Sequence, residues 1–157
     1  MKIQFLCPAH RQQMQKDVSK AIQFWQVGFD TGQFYRDHML WTDAIPHLGC
    51  AFETAEILLT NQTVEPEVSW DWFSTSACLL ASTFININCK AQAREVMWLA
   101  INRLEKDLKK NPVGHEWVDR YLRQLYNELN KLIAHDCTET RIGTQAHKAV
   151  EPLTLIH

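Results

Sequence analysis

At 157 residues with 46% apolar content, the chain is long enough to bury a core as one domain without disulfides or a structural metal. Sixteen Lys and Arg against eighteen Asp and Glu give a formal charge of −2, so no global field attracts a phosphate backbone and nucleic acid is a poor partner. Five cysteines make an odd count; several fall inside apolar helical patterns, where a free thiol acts as a small hydrophobe, and a reducing, cytoplasmic setting is expected.

The first residues carry one Lys and an apolar stretch too short for a signal peptide, and no run approaches eighteen apolar residues, so no membrane span is expected. Glycine and proline fall where helices should stop, which predicts an all-α protein of about five helices. Residues 2–6 form an apolar lead-in. The first predicted helix runs from Pro8 to His38, loosened around Gly28 and Gly32, with Val18, Ile22, Trp25 and Phe29 on one face. Thr42 suits the N-cap of the second, whose buried stripe is Ile45, Leu48, Phe52, Ala55 and Leu59.

Ser69 or Glu67 opens a third helix, apolar on most sides and therefore expected at the centre of the bundle. The fourth begins near Asn88 or Cys89 and ends in Lys106, Lys109 and Lys110, favourable at a helix C-terminus, before Asn111-Pro112 stops it. The fifth runs from His115 to Ala134. Its Val118, Leu122, Leu125, Leu129 and Leu132 suit a capping helix, and the same spacing leaves open a homodimer through residues 118–132. Residues 1–134 are thus read as one helical domain. Residues 135–157 are read as a C-terminal tail, with a short extended segment near Pro152–Ile156.

One pattern occurs twice. Gly32, Tyr35, Ala44, Leu48 and Ala51 are matched, 49 residues later (81 − 32), by Ala81, Phe84, Ala93, Met97 and Ala100. Small residues let paired helices approach while the aromatic fills the groove beside them, which is the signature of a helix-pair repeat. The two copies, with Leu80 preceding the second, resemble tetratricopeptide repeats over roughly residues 25–60 and 74–108. They depart from that family in lacking its terminal proline, where Glu56 and Glu105 stand, and in the interval, 49 instead of about 34, which implies longer helices or a longer linker.

The resemblance implies antiparallel helix pairs in a right-handed array or bundle. It also implies a non-catalytic adaptor that binds a protein or peptide segment in a groove lined by the first helix of each pair. Gln33, Arg36, Asn86 and Asn88, with Gln26 and Ser82, occupy polar positions beside the small–aromatic pairs; Asn and Gln can both donate to and accept from a bound backbone. Trp70 and Trp72 cannot both face inward from one helix, so one of them is expected to stay partly exposed as an anchor.

A competing reading is a small zinc-stabilised regulatory protein. Cys7 and His10 form a Cys-x2-His pair, His47 and Cys50 a His-x2-Cys pair, and four such donors could close a tetrahedral site. The spacing between the pairs favours a buried Cys50 and ordinary surface histidines, so no metal and no cofactor is expected. His135-Asp136-Cys137 is adjacent in sequence only, and Glu53 with Glu56 looks like any surface carboxylate pair. No phosphate-cradling loop or hydrolase motif occurs, and no enzymatic activity is expected.

Overall fold

The computed structural model describes residues 3–110 and 115–147, the side chains of 115 and 135–147 excepted. Among these residues there are six helices and no strand: α1 Pro8–Lys16, α2 Val18–Asp37, α3 Trp41–Asn61, α4 Pro66–Asn86, α5 Lys90–Lys110 and α6 His115–His147. None is long and apolar enough to cross a membrane. The expected stop at Asn111-Pro112 and the segment near 152–156 lie outside the described residues, as do the side chains of His135, Asp136 and Cys137.

The single first helix expected from Pro8 to His38 is two. Asp17 takes an extended conformation and its carboxylate accepts from the Lys20 N–H, capping α2. An N-cap aspartate supplies an acceptor that the first turn lacks, and that competes with helix continuity at a residue of low helix propensity. Gly28 and Gly32 do not loosen α2. They lie buried within it, and the missing side chains admit α3: a Cβ on Gly28 would sit 3.1 Å from the His47 carbonyl, and one on Gly32 2.5 Å from Leu48 Cγ.

The turn into α3 explains the repeat. Met39 adopts φ 57°, the Leu40 N–H reaches back to the Tyr35 carbonyl at 2.9 Å, and the Met39 N–H reaches Arg36. That pair of bonds is a Schellman ending. The Leu40 carbonyl then accepts from the Ala44 N–H and so begins α3, displacing Thr42 from the capping role expected of it. Forty-nine residues on, Asn88 adopts φ 60°, Cys89 reaches Phe84 at 2.8 Å, Asn88 reaches Ile85, and the Cys89 carbonyl receives Ala93. The aromatic and the first alanine of each copy are thus the residues that close and reopen the helices around one tight turn.

Helices of 20 or 21 residues account for the long interval. Pro66 opens α4 in its first turn, a little before the expected Glu67 or Ser69. α4 is central, packing on α3, α5 and α6. Phe73, Ala77, Leu80 and Thr83 are buried along it, and the Phe73 ring stacks on Phe52 of α3 at 5.2 Å.

α6 covers the open end of the second hairpin. Val118, Leu122, Leu125, Leu129 and Leu132 are all buried, and the helix packs on α5 and α4. The heptad-like stripe is therefore consumed within the chain, because its apolar face is already covered, and a homodimer through residues 118–132 would have to break that packing. The helix also continues past the expected end at Ala134, to His147.

Candidate functional site

α2 and α4 are the first helices of the two hairpins and run side by side in the same direction. On α2, Trp25, Phe29, Gly32 and Arg36 recur at helical spacing; on α4, Trp72, Ser76, Leu79 and Thr83 do the same. The two rows meet in register. The Trp25 indole N–H donates to Ser76 Oγ at 3.0 Å, and its ring stacks on Trp72 at 4.3 Å between centroids with 16° between planes. Phe29 stacks on the same indole at 5.2 Å. Trp25, Phe29 and Trp72 form a three-ring column in which every ring is half-buried.

Further along the seam, Arg36 Nη1 donates to the Leu79 carbonyl at 2.6 Å, to Ser82 Oγ at 2.6 Å and to Thr83 Oγ1 at 3.1 Å. Its guanidinium also lies 5.8 Å from the Trp41 ring. Burial holds the guanidinium below its ordinary pKa, with the Asp37 charge pulling the other way. All three acceptors are neutral, so the group acts as a geometric clamp between helices rather than as half of an ion pair. On the other side of α4, Tyr121 of α6 donates to Asp71 at 3.0 Å, and burial followed by that bond pushes its phenol up to about 12.

Four of the residues expected in the groove thus take different parts. Gln33 and Asn86 are exposed, on α2 and at the end of α4. Arg36 is not a free groove side chain, since its Nη1 is held by α4. Asn88 is the left-handed residue of the second turn, a position where its short polar side chain is tolerated. Of the two tryptophans, Trp70 is buried at 3% and its indole N–H reaches Asp107 of α5 at 3.4 Å, so it belongs to the core and is no anchor. Trp72 is the half-buried one.

Trp25, Phe29 and Ser76 were not singled out by sequence as site residues. Their four-residue spacing reads as core, and only the parallel register of α2 on α4 brings the indoles together. Glu53 is a second surprise: instead of a surface carboxylate it is a buried one, 4% exposed, accepting from the Phe5 N–H at 2.6 Å, the Leu6 N–H at 3.0 Å and Arg11 at 2.9 Å.

The four donors of the zinc reading separate. Cys7 Sγ lies 3.2 Å from His10 Nδ1 at the exposed start of α1. His47 stacks on Tyr35 at 5.4 Å, while Cys50 packs with the cluster of Leu6, Met14 and Leu58, its thiol pushed up by burial and then by Glu53. Among the described residues no three His, Cys, Asp or Glu side chains gather as a metal site would require. Comparison with protein-family models, with characterised proteins and with solved structures returns no match for this chain.

Proposed function

We propose that this chain is a non-catalytic, cytoplasmic, divergent tetratricopeptide-like module that binds a protein or peptide segment along the seam of α2 and α4. The observation that supports this reading is the half-buried column of Phe29, Trp25 and Trp72. A core would bury such rings fully, and a solvated face would not assemble them. Aromatic rings with one covered face and one open edge give a partner large contact area at low entropic cost. The clamp at Arg36 and the bond from Trp25 to Ser76 hold the two first helices at fixed spacing, so the surface is formed before a partner arrives. Exposed Gln33 on α2 and Asn86 on α4 supply paired donors and acceptors for a bound backbone.

The test is affinity capture from an extract of the native host on wild-type protein and on a Phe29→Ala, Gln33→Ala double variant. Loss of the captured partner by a variant that stays folded, its thermal midpoint lowered only by the lost stacking of Phe29 on Trp25, is the expected result. Equal capture by both proteins removes the seam as the binding surface.

A further inference from the structure

The chain's first described residues lie against α3 and α5, on a surface separate from the α2–α4 seam. Residues 3–6 are non-helical. The Ile3 N–H donates to Glu95 of α5 at 2.9 Å, and the Phe5 and Leu6 N–H groups donate to the two oxygens of Glu53 on α3. The Phe5 ring fills a slot that exists because residue 49 is glycine: a Cβ there would stand 2.2 Å from the ring. Leu6 is 2% exposed, packed with Met14, Ala21, Ile57 and Leu58. Beside Ile3 a cavity of about 70 Å³ remains, with Phe52, Phe73 and Leu99 on its apolar side and Arg11, Glu53 and Glu56 on its polar side.

These contacts are the ones by which a groove holds a segment of another protein: backbone N–H groups for affinity and side-chain slots for choice. None depends on the segment belonging to the same chain. The cavity leaves room beside Ile3 for a bulkier residue that would extend over Phe52, Phe73 and Leu99. Glu53 is buried and relies on the segment for two of its donors, so the groove exchanges one segment for another more readily than it opens to water.

We propose that the groove between α3 and α5, closed at its Leu6 end by Met14 of α1 and Ala21 of α2, is a docking surface for an apolar, non-helical segment of a partner protein, and that Ile3–Leu6 occupies it as a strap until displaced. The fitting segment has apolar residues at its first, third and fourth positions and no proline at any of them, since the first N–H goes to Glu95 and the other two to Glu53. This does not rest on the α2–α4 reading. Because the strap is tethered, it competes at an effective concentration on the order of millimolar, and releasing it should raise the affinity for a free segment.

The probe is a fluorescein-labelled peptide with the sequence of residues 1–12 carrying I3F, titrated with the full-length chain by anisotropy. Phe5→Asp, which puts a charge into the apolar slot and frees the strap, should tighten probe binding by about tenfold or more over wild type. Adding Gly49→Val, which fills the slot, should abolish that binding. In wild type, probe at millimolar concentration should speed hydrogen exchange at the Phe5 and Leu6 amides, a readout that stands even where Phe5→Asp impairs folding. No binding by a folded Phe5→Asp chain, binding that survives Gly49→Val, or unchanged exchange at those amides would each overturn the proposal. So would concentration-dependent dimerisation of wild type through exchanged straps, which would make a second copy the occupant.

Discussion

The turn joining α2 to α3 and the turn joining α4 to α5 have one backbone geometry and different side chains. Both place a residue in the left-handed region and return an N–H to an aromatic residue's carbonyl, yet the first uses Met39 where the second uses Asn88. The helices they join differ in the same way. Gly28 and Gly32 stand in α2 where Ala77 and Ala81 stand in α4, so the first hairpin packs α3 against bare backbone and the second packs α5 against methyl groups. The turn fixes the hairpin, while the small residues beneath it set how closely its arms approach.

The comparison breaks most severely at the alanines of the second arms. Ala51 and Ala100 are both fully buried. Ala51→Leu should cost about 3 kcal/mol and Ala100→Leu about 2, because a glycine-lined backbone yields less to an added side chain than neighbouring side chains do. Urea midpoints of the two variants measure the order; an unchanged midpoint for either would remove that face from the helix contact.

Exchanging the small residues should cost stability in both directions. Gly32→Ala gains about 1 kcal/mol of helix propensity but drives a methyl into Leu48, with overpacking of about 1–3 kcal/mol, for a net loss of about 1. Ala81→Gly loses about 1 kcal/mol of helix propensity and a fully buried methyl worth about 1 more. If Gly32→Ala raised the midpoint instead, Leu48 would have room to move and the two hairpins would be packed alike.

The turns themselves should respond with opposite signs. Met39→Asn relieves a left-handed methionine and should stabilise by about 0.5–1 kcal/mol, and Asn88→Met should destabilise by a similar amount. Equal signs for the two would mean that the turns are not equivalent. The smallest effects belong to Gln33→Ala and Asn86→Ala, both at exposed positions, which should leave stability within about 0.5 kcal/mol.

Much of the hairpin was legible in the sequence, because the spacing that marks the repeat is the spacing that makes the turn. Tyr35 and Ala44 both bond to the backbone of Leu40, and Phe84 and Ala93 both bond to that of Cys89, so each pair marks the two ends of one short connection. The break at Asp17 was not legible, since Met14, Val18, Ile22 and Trp25 carry an apolar spacing of four, four and three straight through the boundary and a single capping aspartate is a weak signal against it. Glu53 was missed for a related reason. Its partners are the N–H groups of residues 5 and 6, some 48 positions away, and backbone donors leave no mark on a sequence. The site was half visible: Trp72 stood out as one of a crowded aromatic group, but its stacking on Trp25 follows from the register of α2 on α4, which no local pattern encodes.

The central claim is that a partner lies along the first helices. Site-directed photo-crosslinking tests it most directly, with benzoylphenylalanine placed at Phe29, half-buried on the seam face of a first helix, or at Trp98, exposed on a second helix. The account predicts a crosslinked partner from position 29 and none from position 98. A partner captured from position 98 and not from 29 would contradict it and move binding to the second helices.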